Sequence, residues 1–152
     1  MKVMKLTFSI TNQRLTLTTP SYFLSIRATS GKGNCMSLAT KACQMTPFKG
    51  AIPIGSYYLK PHELSNPNMI GDLFRTYRPD SPGDWGDWRI RIHAKPTTKT
   101  WGRDKFFIHG GSFDGSSGCI DIGGGQWGNN QTDRLANLIA ASKVNIDLEV
   151  VV

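Results

Sequence analysis

A nucleophile and a base fall within one short stretch, Phe106-Phe-Ile-His-Gly-Gly-Ser-Phe-Asp-Gly-Ser-Ser-Gly-Cys-Ile-Asp121. An apolar run of strand character ends at His109, and a glycine-rich loop leads from there to Cys119. A thiol attacks well only as thiolate, and with a free pKa of about 8.5 it needs a neighbouring base at neutral pH. His109 can supply that base, because Gly110, Gly111, Gly115 and Gly118 allow the positive φ angles that fold the loop back. With no side chain at Gly118, backbone N–H groups near Cys119 can also converge on a developing oxyanion. Acyl transfer through a thioester is the reaction this suits. Two blander readings compete: a buried, inert cysteine beside a strand histidine, and a zinc site. Three cysteines and three histidines without a C-x2-C or H-x3-H pair make poor zinc spacing, so neither metal nor other cofactor is expected.

The elements that must position this pair are mostly strands. Leu6, Phe8 and Ile10 alternate with Thr7 and Ser9, and after a turn at Asn12-Gln13 the segments 14–17 and 22–26 complete a β meander. Ser30-Gly-Lys-Gly-Asn34 reads as a turn-rich loop, since it lacks the spacing of a phosphate-binding loop. A less regular stretch with Cys35 and Cys43 follows. Paired prolines and glycines from Pro47 to Gly55 lead into a strand at 57–59. The polar, proline-rich residues 61–82 suggest a surface excursion around a cleft. Trp88, Ile90 and Ile92 alternate with Arg89, Arg91 and His93, which makes His93 a surface residue of a strand. Residues 132–142 form a helix with Leu135, Leu138 and Ile139 on one face, Thr132 or Asn130 as N-cap and Asp133 in the first turn. Val144, Ile146, Leu148 and Val150 mark a last strand. The expected fold is mainly β, a β-sandwich or a strongly curved mixed sheet, with one C-terminal helix in a single domain of residues 1–152.

Composition bounds the function. Hydrophobic residues make up 39% and charged residues 19%, which suits a folded globular chain rather than a disordered or membrane-inserted one. Eighteen Lys and Arg against eleven Asp and Glu give a net charge of +7, a field that attracts anionic partners. The cations form no run and accompany no nucleic-acid motif, so nucleic acid is not the expected partner. Anionic cell-wall polymers or peptides with free carboxylates suit a diffuse field equally well, as would an acidic inhibitor protein, and charge alone does not choose among them. The first ten residues lack the apolar stretch of a secretory signal, so the general export pathway is not expected to read them.

Around the histidine and cysteine the sequence resembles the YkuD-type L,D-transpeptidases, whose signature joins Ile-His-Gly to Ser-His-Gly-Cys-Ile/Val-Arg. The matching residues are Ile108-His-Gly and Ser116-Ser-Gly-Cys-Ile120. The short spacing, the run Gly102-Arg-Asp-Lys-Phe-Phe-Ile-His-Gly-Gly111, the segment Gly50-Ala-Ile-Pro-Ile-Gly-Ser-Tyr57 and the loop at 30–34 look closer still to the type VI secretion L,D-transpeptidase effectors. The resemblance runs from about Leu6 to Leu148 and implies a YkuD-like fold.

It also implies roles. Cys119 would attack the carbonyl of the third residue of a peptidoglycan stem tetrapeptide and expel D-alanine, with His109 as base and the Gly110 carbonyl orienting the imidazole. Ser116, Ser117 and Gly118 would form the oxyanion loop. Gly111, Ser112, Asp121, Arg103 and Trp101 would line the substrate site. Hydrolysis or D-amino-acid exchange would resolve the thioester, as suits an antibacterial effector secreted without a signal peptide and acting in the periplasm of a target cell. Its partners would be tetrapeptide stems, a cognate immunity protein and a component of the secretion machinery.

Two departures stand out: Ser117 replaces the family's second histidine, and Asp121 replaces its arginine. Substrate carboxylates must therefore find another cation, with Arg103, Lys105, Arg89 and Arg91 as candidates. In an oxidising periplasm Cys35 and Cys43 either pair or remain thiols, and pairing would leave Cys119 as the odd one. Rival readings are a peptidoglycan amidase or cysteine endopeptidase, and a non-catalytic cationic wall-binding module with Trp85, Trp88, Trp101 and Trp127 stacked on sugars.

Overall fold

The computed structural model describes residues 4–65, 88–111, 118–124 and 130–152. Eight strands follow the alternating patterns: β1 Lys5–Ser9, β2 Arg14–Thr19, β3 Tyr22–Arg27, β4 Gly55–Leu59, β5 Arg89–Ala94, β6 Phe106–Gly111, β7 Ile120–Gly124 and β8 Ile146–Val151. They form one mixed sheet in the order β3-β2-β1-β8-β4-β5-β6-β7. This is the strongly curved sheet of the two expected architectures. Two pairs, β1 with β8 and β6 with β7, are parallel, and the other neighbours are antiparallel. The sheet bends far enough that Thr29, just past edge strand β3, bridges Asp121 on the opposite edge strand β7. It is thereby nearly closed into a barrel.

Inward-facing residues of every strand explain the curvature. Leu6, Phe8, Leu15, Leu17, Leu59, Ile90, Ile108, Ile120, Ile146 and Leu148 are almost fully withdrawn from water. Each such side chain contributes about 1.5–3 kcal/mol by burial, which only a sheet wrapped around one core can collect. Helix α2, Asn130–Ala141, begins two residues before the expected start and packs Leu135, Ala136 and Ile139 inward. Thr132 lies buried within its first turn, and its carbonyl accepts from Trp88 Nε1 at 3.1 Å. That bond fastens the helix to the entry of β5.

The irregular stretch between β3 and β4 contains a short helix, α1 Lys41–Met45, which the sequence pattern did not suggest. Thr40 caps it by accepting from the Cys43 N–H, and a disulfide joins Cys43 to Cys35. His93 is half-buried rather than a surface residue: its Nε2 lies 2.6 Å from Glu63 Oε1 and its ring stacks on Tyr58.

Candidate active site

Strand β6 ends on His109, and β7 runs parallel to it with Ile108 opposite Ile120 and His109 opposite Asp121. Extending that register back by one residue sets Cys119 level with Phe107. Because side chains alternate across a strand, Cys119 and Asp121 share the sheet face that carries His109. The His109–Cys119 diagonal is then roughly 8 Å between Cα atoms, from ordinary strand spacing, short enough for imidazole and thiol to meet. All three residues are buried.

The imidazole has a defined tautomer. His109 Nδ1 lies 2.5 Å from the carbonyl oxygen of Gly110, which can only accept, so Nδ1 carries a proton, and in the neutral ring the lone pair is the one on Nε2. A register shift follows at once: two residues of β7, Ile122 and Gly123, stand against Gly110 alone. Gly123 takes a positive φ of 68°, and its N–H donates to Asp121 Oδ1 at 2.8 Å. Such bulges re-aim neighbouring side chains, and this one sits beside the histidine.

Burial pushes the Cys119 thiol up to about 11. A hydrogen bond from the Phe107 backbone and the cations Arg89 and Arg103 oppose the rise, while the Asp121 carboxylate adds to it. At rest the sulfur is therefore protonated, 3.9 Å from the Lys105 carbonyl. For this sulfur to act as a nucleophile, a base would have to take its proton.

Sheet pairing places a polar row on this face. Ser65 pairs with Arg89, Arg89 with His109, His109 with Asp121, and Asp121 with Thr29. Arg89 lies over the Phe107 ring, 5.4 Å from its centroid. The Thr29 and Asp121 backbones bond each other in both directions, and Thr29 Oγ1 is buried without a partner among the described residues. The sequence carries no signal for Thr29, which reaches the site through this long-range bridge.

Gly118 is required for a reason the sequence did not show. Its φ is 93°, and a Cβ there would come within 2.6 Å of Arg103 Nη2 and 2.9 Å of Phe106. Arg103, expected to face substrate, is buried, and its guanidinium donates to the carbonyls of Gln44, Gly50 and Ala51. Arg91 is exposed opposite Phe107. Trp101 stands in a turn with Lys99 and Lys41 Nζ at 4.2 and 5.5 Å from its ring centroid. Trp88 belongs to the core. Ser112, Ser116, Ser117, Gly115, Trp85 and Trp127 lie outside the described residues. The structure thus brings together His109, Gly110, Gly118, Cys119, Asp121 and Arg89. Among the described residues no group of His, Cys, Asp and Glu is arranged to hold a metal ion.

Residues 25–145 match the family model of the Tlde1 domain. Comparison with curated proteins gives no match. Among solved structures, the chain is similar to L,D-transpeptidase 1 of Mycobacterium tuberculosis, with 19% identity and a TM-score of 0.50, over 99% of this chain and 63% of that one. It is similar to an L,D-transpeptidase from Mycobacterium smegmatis, with 14% identity and a TM-score of 0.50, over 99% of this chain and 59% of that one. L,D-transpeptidase 3 of M. tuberculosis in complex with a faropenem-derived adduct matches with 13% identity and a TM-score of 0.56, over 99% and 61%. At these identities the likeness is one of fold. The chain spans about three-fifths of the length of those proteins.

Proposed function

The chain belongs to the Tlde1-domain family, and from that premise we propose that it is a cysteine acyl-transferase of L,D-transpeptidase type acting on peptidoglycan stem tetrapeptides. The observation that carries this reading is the shared sheet face of Cys119 and His109, with Nδ1 tied to the Gly110 carbonyl and Nε2 left as base. In this reading Nε2 takes the thiol proton as the sulfur attacks the carbonyl of the third stem residue. Backbone N–H groups beside Gly118 bind the oxyanion. Collapse breaks the bond to D-alanine, which leaves as amine with the proton from His109, and the acyl group stays on Cys119 as a thioester. Water or a D-amino acid then attacks. His109 accepts the acceptor's proton, the thioester breaks, and the thiol is restored. The products are a tripeptide or a tetrapeptide with its last residue exchanged.

Arg89 supplies the cation that Asp121 does not. It adjoins His109 in the row, whereas Arg103 is taken up by main-chain carbonyls. In that position its guanidinium can pair with a stem carboxylate.

The family and the disulfide, a feature of oxidising compartments, support an effector delivered by type VI secretion and active in the periplasm of a target bacterium. A cognate immunity protein would cover the Cys119 cleft. Acid quenching of the protein with purified disaccharide-tetrapeptide tests the chemistry. Intact mass should rise by the substrate less D-alanine, mapped to the Cys119 peptide. The same products formed by Cys119→Ala would rule the thioester out.

A further inference from the structure

We infer that Arg103 is a positioning residue that fastens the disulfide-stapled loop between β3 and β4 against the segment carrying Cys119, so that the nucleophile is held in place only while that loop is closed. The inference rests on the acyl-transfer reading above. The flanks of the loop are anchored in the core by Ala28, Ala51 and Ile52, whereas its helical part has little apolar burial. Its helix is five residues long and buries only Cys43, while Leu38, Met45 and Phe48 face solvent. Hydrogen bonds to backbone and to polar side chains tie that part to the flanks. Lys32 N–H donates to the Lys49 carbonyl, Gly50 N–H to Thr46, Ile52 N–H to Ser30 Oγ, and Ile54 N–H to Gln44 Oε1. A Cβ on Gly31 would lie 2.4 Å from the Cys35 carbonyl oxygen, and one on Gly50 1.8 Å from that of Cys43. Backbone therefore packs directly on both half-cystines.

Arg103 reaches into this assembly from the turn before β6. Nη1 donates to Gln44 O at 2.7 Å and Ala51 O at 2.9 Å, and Nη2 to Gly50 O at 2.8 Å. The same guanidinium lies over the Phe106 ring and against Gly118, whose backbone leads straight into Cys119. Three carbonyls on one planar cation make a charge-assisted clamp that a lysine, with one point charge, cannot reproduce. One side chain thus touches the residue after Cys43 and the residue before Cys119. Arg103 and Cys119 also feel each other electrostatically, the cation favouring the thiolate.

Closing the staple removes two electrons and two protons from the thiols of Cys35 and Cys43, which a disulfide-bearing oxidoreductase accepts by exchange. In a reducing compartment the loop would be unfastened and Cys119 poorly held.

The test compares Arg103→Lys, the double variant Cys35→Ser with Cys43→Ser, and the triple variant. Each is assayed for kcat and KM on disaccharide-tetrapeptide and for the pH profile of Cys119 alkylation by iodoacetamide. Loosening admits water to the buried thiol, and since burial is the largest cause of its raised pKa and the Arg103 attraction the smallest opposing one, the alkylation midpoint should fall from about 11 toward the ordinary thiol range. At the same time kcat should fall about tenfold or more with little change in KM, because misplaced groups lose rate. Because unfolding would also expose the thiol and lower kcat, the comparison is made under conditions where the circular dichroism of each variant matches that of the wild type. The triple variant should be no worse than either parent, since both act through one route. Wild-type kcat and an unmoved alkylation profile in the disulfide-free variant would overturn the inference, as would losses that multiply.

Should the double variant fail to fold, wild-type protein reduced with a phosphine keeps the question decidable. Unchanged Cys119 alkylation once Cys35 and Cys43 are both labelled would refute the link. Alkylation needs no substrate, so this result is separate from a failure of the acyl-transfer reading, which would show as no product from the wild type.

Discussion

Thr29 and Asp121 exchange both main-chain hydrogen bonds, N–H to O at 2.9 and 2.8 Å, two residues along the chain from Cys119. The sheet therefore closes on itself beside Cys119, and the strand that follows Cys119 is held on both flanks. The Thr29 hydroxyl does not take part in this closure, being fully buried and without a partner among the described residues. Replacing it with the isosteric valine, Thr29→Val, keeps the backbone bridge and removes the unsatisfied group. Stability should be unchanged or higher by about 1 kcal/mol, read by urea unfolding. A loss of that size would show that the hydroxyl is bonded after all.

The thiol makes a pH prediction with a defined sign. Its folded pKa is raised to about 11, so the protonated form stabilises the fold. That contribution, roughly 3 kcal/mol, is complete below the unfolded thiol pKa of about 8.5 and is lost as pH rises through about 11. Compared with Cys119→Ala, the wild type should lose stability across that window. An identical pH dependence in the two proteins would contradict the account.

Asp121 contributes to the same rise. Asp121→Asn keeps the acceptor for the Gly123 N–H and removes the charge, so the Cys119 alkylation midpoint should move down. A midpoint that stays or climbs would mean the carboxylate does not act on the sulfur.

Arg89 is predicted to hold a substrate carboxylate. Arg89→Ala should raise KM for tetrapeptide about tenfold, with a smaller change in kcat, and Arg89→Lys should recover part of it. Unchanged KM in the alanine variant would remove Arg89 from the substrate site.

Much of this was legible in the sequence. Alternation at Leu6 to Ile10, Trp88 to Ile92 and Ile146 to Val150 revealed the strands, because one face of each is buried and the other is not. His109 and Cys119 were legible because glycines crowd the short loop between them. The roles of Arg103 and Thr29 were not, since each depends on a contact between elements far apart in the chain. Arg103 looked like any cation beside a site until its guanidinium was seen spent on three carbonyls. The need for Gly118 was legible, but its cause, the approach of that same guanidinium, was not.

Whether Cys119 transfers the acyl group is decided most directly by mass spectrometry of disaccharide-tetrapeptide incubated with wild-type protein and with Cys119→Ala, with and without a D-amino acid. Loss of D-alanine, or its replacement by the added amino acid, is expected in the wild type only. Cleavage elsewhere in the stem, or the same products from Cys119→Ala, would contradict acyl transfer by Cys119.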